Sequence, residues 1–98
     1  MIVDRRTFIP KRGQQEKLVA LIQTKASGYV PFQVPFRIYL PQAGPNDVMA
    51  MEWEFKDLAE YDRYWTGWLK KATEQNFGKE WDDLTENGGV SEIWQLVE

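Results

Sequence analysis

The stretch GPNDVMAMEWEFKDLAEYDRYW, Gly44 to Trp65, changes its hydrophobic period partway along, and that change decides the architecture. From Val48 to Phe55, Met49, Met51, Trp53 and Phe55 alternate with Val48, Ala50, Glu52 and Glu54. A period of two gives a strand with one apolar face and one face ending in carboxylates. Leu58, Tyr61, Trp65, Trp68 and Ala72 then follow steps of three and four, the stripe of a helix over Leu58–Ala72 that must face a sheet. Asp57 stands where the helix cap belongs, with Glu60 three residues on, as in a capping box.

Working outward, PQAGPND at Pro41–Asp47 is dense in turn residues, and PFRIYL before it sets Phe36, Ile38 and Leu40 against Arg37 and Tyr39. The two strands make a hairpin. Pro31 and Pro35 flank the loop leading into it. Upstream, Leu18, Leu21, Ile22 and Ala26 place a helix over Gln14–Ala26, closed at Ser27-Gly28 by a glycine able to turn left-handed. Ile2–Ile9 mixes β-branched and aromatic residues with charges and stops at Pro10, as a strand would. Downstream, Phe77, Trp81 and Leu84 mark a further helical segment, ended by Asn87-Gly88-Gly89, and Val90–Val97 closes the chain as a strand. The order βαββαβ predicts one α+β domain over residues 1–98, a ferredoxin-like four-stranded antiparallel sheet with its helices on one face. The second and fourth strands offer apolar residues to both sides, Ile38 against Tyr39 and Ile93 against Trp94. A free sheet face of that kind predicts a homodimer packed sheet to sheet.

Composition narrows the chemistry. The chain has no cysteine and no histidine, which removes disulfides, thiolates, the commonest metal ligand and the usual neutral-pH general base. No metal or haem is expected, and no cofactor. Twelve basic against fifteen acidic residues give a net charge of −3, without the basic footprint of a nucleic-acid binder. No apolar run approaches the ~20 residues that span a bilayer, and MIVDRR lacks the order of a signal peptide. The expectation is a cytoplasmic protein with no membrane and no nucleic-acid partner.

MIVDRRTFIPKRG, Met1 to Gly13, resembles the opening strand and helix entry of NIPSNAP-like proteins, which typically read M-I-Y-E-L-R-T-Y-T-L-K-P-G. Arg6, Thr7, Lys11 and Gly13 fall on matching positions and Asp4 replaces the usual glutamate. Arg5 departs from an apolar position and Arg12 from a proline. Gly44–Trp65 is similar to that family's turn, third strand and second-helix start. The resemblance implies the dimeric α+β barrel, a superfamily that also contains cofactor-free monooxygenases, haem-degrading enzymes and polyketide cyclases, whereas NIPSNAP-like members mostly lack an assigned reaction. Fold alone does not decide function.

Two constellations could carry chemistry. The rings of Trp53, Tyr61, Tyr64, Trp65 and Trp68 either pack as core or wall a slot between helix and sheet for a flat, hydrophobic or aromatic ligand. Gly67, inside the helix, fits a close approach by a neighbouring ring. The second constellation is ionic. With Ile2, Asp4, Arg6 and Phe8 pointing one way and Glu52 and Glu54 sharing that face, Asp4, Arg6, Glu52 and Glu54 would form a network inside the barrel or across a dimer contact. Its functional version makes Glu52 or Glu54 a general base with Arg6 holding an anionic oxygen. The expected role is small-ligand binding or assembly. The alternative is a cofactor-free oxygenase or cyclase, with Glu52, Arg37 and Tyr39 as acid, base and oxyanion groups in the slot. A regulatory module holding an amino acid at strand ends is a third option. Cavity against closed ring packing separates the first two.

Overall fold

The computed structural model describes residues 1–97. Its elements are β1 (Ile2–Phe8), α1 (Gln15–Thr24), a short 3-10 turn (Ala26–Gly28), β2 (Phe36–Tyr39), β3 (Met49–Phe55), α2 (Leu58–Glu74), α3 (Phe77–Leu84) and β4 (Val90–Gln95). The sheet order is β2-β3-β1-β4, and every neighbouring pair is antiparallel. This is the predicted ferredoxin-like α+β architecture. Among the described residues no helix is long and apolar enough to cross a membrane.

Register follows from burial. Ile2 pairs with Phe55, Asp4 with Trp53, Arg6 with Met51 and Phe8 with Met49, so these eight side chains share the face beneath the helices. On β2, Phe36 and Ile38 lie opposite Trp53 and Met51 and join them. Leu18 and Ile22 of α1 and Tyr64 of α2 close the core from above. The molecule measures 36 × 34 × 20 Å, and 20 Å is about one sheet plus one helix layer. The second sheet face is therefore uncovered in the chain. It displays Tyr39, Val90 and Trp94, all exposed.

Caps and turns fall close to expectation, with three differences. Asp57 accepts from the Glu60 backbone N–H at 2.9 Å, while the Glu60 carboxylate takes the N–H of Lys56 rather than that of Asp57. Helix α1 does not close on a left-handed Gly28, which lies outside that region; it tightens into the 3-10 turn, where the N–H of Gly28 reaches the carbonyl of Lys25. Helix α3 stops at Leu84, before Asn87-Gly88-Gly89, because Thr85 leaves the helix to bridge Pro10. Gly89 is needed for another reason: φ is +126° and a Cβ there would stand 2.7 Å from the Thr7 carbonyl oxygen.

The burial of α2 also differs. Tyr64, not among the residues of the predicted stripe, is buried against Phe55 and Phe32, with ring centroids 5.4 and 5.9 Å away, whereas Leu58 of that stripe is exposed. Gly67 meets no ring, since a Cβ there would have nothing within 4 Å. Gly67→Ala should accordingly stabilise the fold by about 0.5–1 kcal/mol in urea melts, through helix propensity alone. Leu18→Ala, at a fully buried position, should cost about 2–5 kcal/mol in the same assay, and Leu69→Ala, 63% exposed, less than about 0.5 kcal/mol.

Candidate functional site

A cavity of about 840 Å³ lies between the sheet and the helices. Its floor is Met51 and Trp53 of β3 with Arg6 and Phe8 of β1; Tyr64, Trp65, Trp68 and Ala72 of α2 form a wall, and Phe77 and Trp81 of α3 close one end. The Pro31–Pro35 loop adds Phe32, Gln33 and Val34. Both predicted behaviours of the rings occur together. Tyr64 and Trp65 are 4.9 Å apart edge to face, Trp65 and Trp68 5.5 Å, and Trp53 and Trp65 4.9 Å, yet the braced array encloses space. Edge-to-face pairs hold rings at fixed angles, so a ring cannot fold inward without losing its partners. Trp68 is held further by its indole N–H, which donates to the Ala26 carbonyl at 3.1 Å.

Of the predicted ligand residues, Trp53, Tyr64, Trp65 and Trp68 line this cavity. Tyr61 does not; it packs on Phe55 at 5.5 Å. The loop residues and Phe8 were missed, although a proline at each end of a loop carrying Phe32 and Val34 was a usable signal.

The ionic network requires correction. Asp4 and Arg6 lie on the helix side, whereas Glu52 and Glu54, one pleat out of phase with Trp53 and Phe55, lie on the open face. There Arg5 pairs with Glu52, and Arg37 with Glu54 at 2.8 Å. Tyr39 approaches Glu52 at 3.5 Å. Glu52, Arg37 and Tyr39 therefore gather, but on the far side of the sheet from the slot they were expected to serve. The alternation that gives β3 its apolar inner face forces this. Among the described residues, no group of three or more carboxylates is placed to hold a metal ion.

The cavity keeps one part of that network. Asp4 is 1% exposed and accepts two hydrogen bonds from Arg6, from Nε at 3.2 Å and Nη2 at 3.1 Å. A bidentate pair of this kind is what permits a carboxylate inside an apolar layer. The Arg6 guanidinium lies 4.1 Å from the centre of the Trp65 ring and 5.6 Å from that of Trp53. Burial pushes the Tyr64 phenol above its usual pKa, with the Trp53 indole and the Arg6 charge acting against that rise. Tyr29 is raised as well, by burial and then by the charge of Glu80, with Lys25 opposing.

No family model matches the sequence, and no curated protein does. Solved structures do match in fold. An uncharacterized NIPSNAP domain protein from Burkholderia xenovorans superposes with a TM-score of 0.78 at 14% identity, over 99% of this chain and 95% of that one. A NIPSNAP family protein from Agrobacterium tumefaciens gives 0.69 at 15% identity, over 99% and 93%. A protein from Shewanella oneidensis gives 0.69 at 20% identity, over 95% and 87%. The fold is therefore the one resembled by the Met1–Gly13 and Gly44–Trp65 segments.

The two shifted tyrosines set an alkaline limit. Each keeps its proton longer in the fold than in the unfolded chain, whose phenols titrate near ~10, so the stability they contribute is full below about pH 10 and is lost as pH climbs through the folded values. Thermal melts between pH 9 and 12 should show this decline, and Tyr64→Phe should shrink it.

Proposed function

We propose that this chain, built on the fold of NIPSNAP domain proteins, is a homodimeric binder of a small, flat, largely apolar ligand held between α2 and the sheet. The cavity carries this reading. Its volume of about 840 Å³ falls within the range of roughly 300–1,000 Å³ common for small-molecule sites. Its wall is chiefly aromatic, with a single charged side chain, Arg6, among the described residues that line it. Glu52, Arg37 and Tyr39 do not reach it, so the oxygenase or cyclase reading loses its acid and base. Binding without turnover fits what remains.

The homodimer rests on the open sheet face. Tyr39, Val90 and Trp94 lie exposed there between paired charges, an apolar surface that favours a second copy over water. Trp94 is 56% exposed, and a two-fold operator would bring the same face of each copy together. A cytoplasmic location is part of this proposal.

Both parts can be checked directly. The neutral probe N-phenyl-1-naphthylamine should bind with enhanced emission and energy transfer from tryptophan, since four of the five tryptophans line the cavity. Ala72→Phe, which puts a ring into the cavity, should weaken that binding by about tenfold or more, a loss of about 1.4 kcal/mol. No binding, or binding untouched by Ala72→Phe, would exclude the cavity as the site. Sedimentation at micromolar concentration should give a dimer that Trp94→Glu converts to folded monomer, and a native monomer would end the dimer reading.

A further inference from the structure

The cavity's polar atoms are uneven in kind, and that bears on what it accepts. Arg6 brings five N–H donors, of which Asp4 takes two. Asp4 is itself sealed from the cavity: it is 1% exposed, it is not among the lining residues, and each of its oxygens already accepts from Arg6. The acceptor end of the pair is thus turned away and the donor end faces the space. Beside it, Trp65 offers the face of its ring, while its indole Nε1 is buried out of reach of the cavity. Tyr64 apart, the hydroxyl and amide side chains of the lining are spent or face solvent. The Ser27 hydroxyl donates to the Gln23 carbonyl, the Thr73 hydroxyl donates to the Leu69 carbonyl, and Gln33 and Asn76 are exposed.

Resting on the cavity being the ligand site, we infer that its ligand is a flat organic acid, whose carboxylate or enolate oxygen sits on the Arg6 guanidinium, with the Tyr64 hydroxyl as second donor, while its ring lies among Trp53, Trp65 and Trp68. Arg6 stacks on the Trp65 face, so an oxygen placed in the guanidinium plane reaches Arg6 while a conjugated body runs along the rings. The Tyr64 hydroxyl, kept protonated by its burial, adds a further donor in the same wall. An amine or other cation would meet the positive charge of Arg6, with the Asp4 carboxylate sealed away from it.

The test compares 2-naphthoate with 2-naphthamide, equal in size and shape and differing in charge, by calorimetry at neutral pH. Naphthoate should bind roughly tenfold tighter, the margin of one hydrogen bond to a charged acceptor. The double substitution Asp4→Asn with Arg6→Gln removes both charges without opening a hole, and should bring the two ligands within about twofold while naphthamide keeps its affinity. Tyr64→Phe keeps the ring and removes the hydroxyl donor, so it should narrow the preference. Equal affinities in the native chain overturn the acid seat and leave the cavity reading standing; no binding by either ligand overturns both. A preference that survives the double substitution overturns the seat. Should that variant fail to fold, an unchanged preference in Tyr64→Phe does the same.

Discussion

The antiparallel register of β1 on β3 is the constraint from which the rest of the molecule follows. Side chains alternate with a period of two, so sliding β1 by one residue would exchange its faces, sending Ile2 and Phe8 to solvent and Val3, Arg5 and Thr7 beneath the helices. In the native register the inner face also receives Asp4 and Arg6, which no apolar layer tolerates singly. A carboxylate there needs a partner within the layer, and removing one member of such a pair costs about 3–5 kcal/mol because the other is left buried and uncompensated. Bidentate geometry satisfies that need and fixes Arg6 to the floor of the cavity.

The cavity persists because large and small residues are distributed unequally over it. Rings from β3, α2 and α3 brace one another at centroid distances of 4.9 to 5.8 Å. Among the same lining, Ala26, Ala72 and Gly78 bring little volume. A layer of aliphatic side chains could repack to fill such a gap, since those chains reach several rotamers; rings locked edge to face cannot do so cheaply. The break between α2 and α3 helps. Asn76 adopts a left-handed φ of 55°, which turns α3 so that Phe77 and Trp81 cap the end of the space.

Much of this architecture was legible in the sequence because local period and punctuation are local properties. Met49 to Phe55 reads as a strand and Tyr61 to Ala72 as a helix whatever surrounds them. The parity of β1 against β3 is different. Asp4 and Arg6 share a face with Ile2 and Phe8 by alternation alone, but whether that face meets Trp53 or Glu52 is settled only by pairing across the sheet, and charges naturally suggested company with Glu52 and Glu54. Tyr64 was misjudged for a related reason. The helical period gives the width of a stripe, whereas its centre depends on how α2 crosses the sheet, and that crossing leaves Leu58 beyond the sheet's cover. The cavity was legible only as one of two alternatives, since ring spacing along a chain does not tell whether rings touch or enclose.

The same register separates the two faces chemically, and the proposal of binding over turnover is drawn from that separation. The carboxylates that could move a proton, Glu52 and Glu54, are engaged on the open face by Arg5 and Arg37. Inside, the one carboxylate is Asp4, and both of its oxygens are occupied by the guanidinium that walls it off. The phenol of Tyr64, on which the Arg6 charge acts, is raised by burial and so stays protonated at neutral pH, a donor and not a base. Proton abstraction needs an unpaired basic atom within about 3 Å of the bond to be broken, and none of these groups offers one. On the proposed reading, the donors of Arg6 and Tyr64 among flat apolar walls select by shape and by the presence of an acceptor oxygen, and so hold a planar acid out of water.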